Sequence, residues 1–489
     1  MPDRPNILMF MMDTQGTRNM SCYRHPRPTT PRIDQIAREG VLFENHFVTA
    51  PWTLPVHASL FTGRYESGHG AGAQHEGLEP GLIGMGDILT QAGYTCVAFC
   101  NNPWAASTDR WNCAVGFEVI PYGALPPVAP FIPSDAPEER DNGSMKAVGI
   151  VKEWIHRQRD AGPWAIFVNC TEPHDPYLPP EPFRSQFLLP GMDYEDAVAR
   201  KGNQVDSTTG VKTLSSLEWE MQRALYDAET ACLDHRIGLL YDELKNMGVL
   251  DETLFAVMGD HGDDLGEHMD VGYSYHSQNG VWDTVCKTPL VIRLPGVFEG
   301  GKRVEHIVQI NDLFPGILDL LDLQEPEARE SIQGVSLLQA LDGPSREFAL
   351  IEAQTPKHVM RRILTGAAEP HPDFDPRWAY KAHKAARTLE YKYVWTSTGD
   401  DMLFDIRSDP DERWNLLLGR NGRCRNGRYP EEIARHLKQA IEDLLMSCEQ
   451  RYFMDMYRPG RKNLDPRVAR KLSAWGLYTP GVVKPWEGD

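Results

Sequence analysis

Nowhere does this sequence run apolar for the roughly 20 residues that a membrane-spanning helix needs, so no span is expected. The opening MPDRPNILMFMMD also lacks a basic head followed by a long apolar stretch. It reads as a strand, and no signal peptide is expected. Basic charge is in deficit as well: 50 Lys and Arg stand against 69 Asp and Glu, a formal net charge of -19. Such a surface repels a phosphate backbone, which excludes nucleic acid as a partner. Cysteine is sparse. The nine (22, 96, 100, 113, 170, 232, 286, 424, 448) are odd in number and scattered without metal-type spacing. That excludes a disulfide framework and predicts reduced, mostly buried thiols in a cytoplasmic protein. There is no internal repeat and no low-complexity tract.

What is present is ordinary globular usage over 489 residues, 41% hydrophobic and 24% charged, enough for one large domain and a smaller one. Apolar strand-like runs alternate with helical patterns. NILMFMMD (6–13), YTCVAFCNN (94–102), WAIFVNCTEPHDPY (164–177) and TLFAVMGDHGDD (253–264) each end on polar, potentially reactive groups. Helical patterns near 144–160 and 217–248 lie between them. The alternation predicts an α/β fold, a large mostly parallel or mixed sheet sandwiched by helices, with ligands bound beyond the carboxyl ends of the strands. Asp13, Asn102, His174, Asp260 and His261 all fall there.

The texture changes near residue 345. EYKYVWTSTGDDMLFDIRSDPDERWNLL (390–417) reads as two strands joined by a turn, and PEEIARHLKQAIEDLLMSCEQRYF as a helix opened by Pro and two acids. The expected organisation is a catalytic domain over 1–344 and a small α+β subdomain with a short antiparallel sheet over 345–450. A basic, Pro-punctuated tail over 451–489 would pack on the body or on a neighbour in a homo-oligomer.

Two carboxylates and an imidazole from separate strand ends, Asp13 with Asp260 and His261, suit a hard or borderline divalent cation. In APWTLPVHASLFTGRYESGHG (50–70), Pro51 and Pro55 fix the backbone around Thr53 at a helix start. Its hydroxyl could be a fourth ligand, favoured as an alkoxide by the cation and the helix terminus. Alone, a threonine there reads better as a helix cap, since threonine before a helix is commonplace.

RPNILMFMMD, TLPVHASLFTGRY, TEPHDPYLPP, the run DAETACLDHRIGLLYDELKNMGVLDETLFAVMGDHGDDLGEH, KTPLVIRLPG and the 390–417 segment follow one another from residue 5 to about 417. In that order they resemble the sulfatase branch of the alkaline phosphatase superfamily. The resemblance implies that Asp13, Asp260 and His261 ligate a metal and that Thr53 stands at the nucleophile. It implies that His174 contacts the transferred or leaving group and that His268 occupies another recurrent active-site position. His276, with Trp282 and Asp283 as the aromatic–acid pair, would replace the usual lysine, and Asn102 would donate to a substrate oxygen.

The departures matter equally. Sulfatases typically carry Cys-x-Pro-x-Arg, the Cys becoming formylglycine; here the run is Thr53-Leu54-Pro55-Val56-His57, with His57 at the substrate-binding Arg position. Thr14 breaks the acid pair after Asp13, which reduces the metal cage and favours Mn, Zn or Mg, with Ca still open. One site is expected, and His174 with Asp175 leaves room for a second. An esterified Thr lacks the hemiacetal exit of a formylglycine sulfate, so water must attack the transferred group directly. The expectation is therefore a hydrolase of a phosphate diester, or of a phosphonate or phosphate monoester, acting through Thr53 on a small anionic ester. The alternatives are a sulfatase without formylglycine and a non-catalytic anion-binding protein.

Overall fold

The computed structural model describes residues 4–73, 77–78, 81–106, 113–122, 143–158, 161–200, 214–268, 273–276, 280–356, 381–419, 424 and 426–456. Its main sheet has eight strands: β1 (Asn6–Met12), β2 (Val41–Phe47), β3 (Thr95–Cys100), β4 (Glu118–Pro121), β5 (Trp164–Cys170), β6 (Thr253–Gly259), β7 (Leu290–Arg293) and β8 (Lys302–Gln309). They are ordered β4-β3-β5-β1-β6-β7-β2-β8. The run from β4 to β6 is parallel, β7 is antiparallel to both neighbours, and β2 and β8 are again parallel. This is the mixed, mostly parallel sheet that the alternation predicts.

The apolar runs explain why these segments lie in the middle of the sheet. Along β1, Ile7, Met9 and Met11 enter one core cluster, while Leu8, Phe10 and Met12 enter the cluster on the opposite face. A strand covered on both faces needs a continuous apolar sequence, not an alternating one. Each such side chain contributes about 1.5–3 kcal/mol on burial. One face is covered by helices that include Pro31–Glu39, Ser144–Gln158 and the long Ser216–Asn246. The last begins at a capping box between Ser215 and Glu218.

The second sheet is antiparallel, β12-β11-β10-β9, from β9 (Ala349–Gln354), β10 (Ala382–Arg387), β11 (Tyr391–Thr396) and β12 (Met402–Asp405). The helix Pro430–Met456 packs against it through Ile433, Leu437 and Ile441. Buried charges tie the two sheets together. Lys392 of β11 reaches Asp283 at 2.9 Å and Glu412 at 2.6 Å, and Arg387 of β10 reaches Asp283 at 2.9 Å. Residues 457–489, most of the expected tail, lie outside the described residues. No helix among the described residues is long and apolar enough to cross a membrane.

Candidate active site

Four adjacent parallel strands, β3, β5, β1 and β6, end at the same edge, and each is followed at once by polar residues. The parallel ladder runs one residue past the strands: Asp13 N–H donates to Cys170 O at 2.9 Å and Asp260 N–H to Met12 O at 3.3 Å. This fixes the two carboxylates side by side. Gly262 then turns the chain under β6, where a Cβ would lie 2.4 Å from Thr284 O. Only glycine fits that approach, which accounts for the G in GDHG.

Asp13, Asp260 and His261 are all fully buried, and one donor atom of each lies within 4.8 Å of the others. Asp260 Oδ1 accepts from the N–H groups of Thr14 (2.9 Å) and His261 (2.7 Å), whereas its Oδ2 is buried with no hydrogen-bond partner. Asp13 accepts from the Thr14 hydroxyl at 3.0 Å and from the Asn102 amide at 2.5 Å. Thr14 holds this place in a left-handed conformation (φ 65), unfavourable for a β-branched residue and maintained by its contacts. Tyr226 O–H donates to its carbonyl oxygen at 2.5 Å.

Burial and mutual repulsion disfavour charge on the two carboxylates, and the nearby His174 offsets only part of this. Desolvation and the proximity of Asp260 push Asp13 up to about 6, and desolvation lifts Asp260 to about 7. Desolvation, reinforced by His276, lowers His261 to about 3. A buried carboxylate oxygen without a partner, beside a second carboxylate and a neutral imidazole, fits a divalent cation of the borderline class.

Thr53 faces this cluster. The helix Thr53–Thr62 begins at Thr53 with Trp52 as the capping residue, and no side-chain cap is made. The Thr53 hydroxyl instead lies 3.3 Å from His261 Nε2. The helix-cap reading of this threonine therefore gives way: it is the first helical residue and its hydroxyl is turned to the acidic cluster.

Above Thr53 opens a cavity of about 280 Å³. Its wall includes Trp52, Asn101, Asn102, Trp104, His174, Asp175 and His276. His174 Nδ1 donates to the Asp175 carbonyl at 2.7 Å. Desolvation works against its charge, but Asp175 and Asp13 outweigh it and raise His174 to about 9. His276 Nδ1 lies 2.6 Å from Asp263 Oδ1, and desolvation together with His174 holds this imidazole down at about 3. No lysine or arginine lines the cavity among the described residues.

Three expected site residues are placed differently. His268 sits between Asp264 (2.5 Å) and the Asp411 carbonyl (3.0 Å) and stacks on Trp282 at 4.2 Å, with both ring nitrogens engaged and no place in the cavity wall. Asp283, of the expected aromatic–acid pair, is taken by Arg387 and Lys392. His57 is buried in its own helix, its Nδ1 donating to the Thr53 carbonyl at 2.9 Å, because i to i+4 contacts turn it inward. Asn102 lines the cavity, yet its amide NH₂ goes to Asp13 and its oxygen accepts from Trp104 N–H at 2.9 Å. It orients a carboxylate through one of its two amide hydrogens. Asp263 carried no sequence expectation, although it belongs to the GDHGDD run, where two more acids follow the Asp–His pair after Gly262.

Known proteins match this chain over most of its length. The chain is 24% identical over 437 residues to an ulvan-active sulfatase of Formosa agariphila, covering 85% of this chain and 78% of that one. The phosphonate monoester hydrolase of Agrobacterium radiobacter superposes with a TM-score of 0.66 at 20% identity, over 92% of this chain and 96% of the other. A protein solved with its substrate D-glucosamine-2-N,6-O-disulfate gives 0.67 at 18% identity, over 94% and 100%. The sulfatase family model matches residues 5–323, the whole span from β1 through all four strand ends to beyond β8. The chain belongs to the sulfatase family, within the alkaline-phosphatase-like superfamily of ester hydrolases.

Proposed function

We propose that the chain hydrolyses phosphate diesters, or phosphonate or phosphate monoesters, through a covalent ester on Thr53. The observation that carries this reading is the Thr53 hydroxyl at 3.3 Å from His261 Nε2, beside the unpartnered Oδ2 of Asp260. Asp13, Asp260, His261 and Thr53 would hold one divalent cation, of the Mn, Zn or Mg class. When bound, such a cation lowers the pKa of the Thr53 hydroxyl and takes up charge on the transferred group.

Thr53 Oγ1 forms a bond to phosphorus as the bond to the leaving oxygen breaks, and the hydroxyl proton ends on the departing alcohol. Water then forms the new P–O bond, the P–Oγ1 bond breaks, and threonine is restored. His174, positively charged at neutral pH and in the same cavity wall, supports the reaction by facing the anionic group with charge. Asn102 holds Asp13, and Asp263 holds His276. The phosphate preference rests on chemistry. A threonine ester has no hemiacetal exit, and phosphoryl transfer asks mainly for positioning and charge stabilisation.

A second reading, sulfate-ester hydrolysis at the same threonine, is favoured by the sulfatase activity named for the Formosa agariphila relative. Initial rates with matched aryl phosphodiesters, phosphonates and sulfates, joined to intact-protein mass after acid quench, separate the two. The expected result is faster turnover of the phosphorus esters and a mass increase on Thr53. Turnover confined to sulfates would replace the first reading by the second. No turnover of any ester by metal-loaded protein would leave a binding protein.

A further inference from the structure

A second cavity, of about 290 Å³, lies where β8, the antiparallel sheet and the helix Pro430–Met456 meet. Among the described residues it shares no lining residue with the cavity above Thr53. Its volume is at the small end for small-molecule sites, which run from about 300 to 1,000 Å³. Part of its wall is apolar and buried: Tyr391 of β11, with Ile433 and Leu437 of the helix.

Arg346 is the polar residue of this wall that the fold leaves incomplete. Its side chain is only 8% exposed. Nη1 donates to the Tyr65 hydroxyl at 2.9 Å and to Gln309 Oε1 at 2.8 Å, and Nη2 donates to Asp312. The Nε–H is buried and has no hydrogen-bond partner. An unpaired donor on a buried charged group is costly, so the site calls for an acceptor that the chain itself does not supply. Two further donors border the same cavity. His306 has no hydrogen-bond partner among the described residues. Arg428 Nη2 donates to the Glu432 carbonyl at 3.2 Å, and its guanidinium meets no carboxylate among the described residues.

The charges narrow the ligand to one class. Glu347 is paired with His436 at 2.9 Å, Glu390 with Arg407 at 3.2 Å, and Arg346 with Asp312. Arg428 is left as the unmatched charge of the described wall, a single positive one. We propose that this cavity binds a small organic carboxylate with an apolar body. Its carboxylate accepts from Arg346 Nε and faces Arg428 and His306, while the body lies against Tyr391, Ile433 and Leu437. A carboxylate on an arginine N–H makes a charge-assisted hydrogen bond, stronger than a neutral one. A phosphate dianion would bring one charge too many and more oxygens than the single buried donor satisfies. The site is independent of which ester is cleaved at Thr53.

The probe is para-fluorobenzoate, titrated into the full chain and followed by its fluorine magnetic resonance. One saturable site per chain is expected. It should persist after chelation, which removes any anion site built on a cation at Asp13 and Asp260. The neutral para-fluorobenzamide should not bind, and inorganic phosphate should not displace the benzoate. Arg346 is tied to Asp312, so its substitution tests folding as much as binding, and Arg428 and His306 carry the test instead. Arg428→Gln and His306→Leu should each weaken binding about 10-fold and keep the wild-type thermal transition. Absence of a saturable site, or its loss on chelation, would overturn the proposal. So would displacement by phosphate, equal binding of the amide, or wild-type affinity in either variant.

Discussion

The side-chain amide of Asn102 donates to Asp13 Oδ2 at 2.5 Å, opposite the Thr14 hydroxyl on Oδ1, and so clamps the carboxylate at the end of β1 from both sides. If Asp13 is a metal ligand, its clamp sets metal affinity. Asn102→Leu should weaken metal binding by about 10–100-fold. Activity should recover at high metal concentration. Titration of the stripped enzyme with Mn²⁺, read by turnover, checks this; an unchanged midpoint with lowered maximal rate would instead mean that Asn102 touches substrate.

Thr53 is the proposed point of bond formation. Thr53→Ala should lower turnover by roughly 10³-fold or more while the protein stays folded and retains metal. No mass increase should appear after acid quench. Thr53→Ser keeps a hydroxyl and should keep the adduct. Full activity in Thr53→Ala would eliminate the covalent route.

Acid should destabilise the fold through histidines that have nothing to do with the cavity. Burial holds His46 down at about 4 and His69 at about 3, against an ordinary value near 6.5. Unfolding therefore takes up protons between those values. The contribution is fully present above pH 6.5 and is lost as pH falls through 4 and then 3. Each histidine adds a slope of roughly 1.4 kcal/mol per pH unit inside its window. Urea midpoints at pH 7 and pH 5 should separate less in His46→Gln than in the wild type.

Lys392, Asp283 and Glu412 form a buried charge group between the two sheets. Lys392→Met would leave Glu412 unbalanced in the interior, with Asp283 held by Arg387 alone, and should cost about 3–5 kcal/mol. The exposed pair Arg407–Glu390 is the control, and Arg407→Ala should cost under about 1 kcal/mol. Equilibrium unfolding in urea compares them directly.

The strands were legible because burial on both faces demands continuous apolar runs, and β1, β3, β5 and β6 announce themselves that way. Their order in the sheet was not. Nothing local in NILMFMMD says that β5 and β6 flank it, since pairing depends on which long-range contacts bury the most surface together. The site divides along the same line. Asp13, Thr53, Asp260 and His261 stood out in the sequence because strand ends and a proline-framed helix start are local features. The surroundings of His268 and His57 were not legible, because a histidine's partners are set by the fold: Asp264, Asp411 and Trp282 for the first, its own helix for the second. Asp263 gained its place behind His276, 13 residues further along the connection after β6, only in the folded chain. The sequence by itself determined the fold class, the family and the chemistry-bearing strand ends, since those are written in periodicity and in short contiguous runs. Tertiary structure alone decided which side chains share the cavity, because hydrogen bonds and charge act through a few ångströms of space between residues up to 246 positions apart.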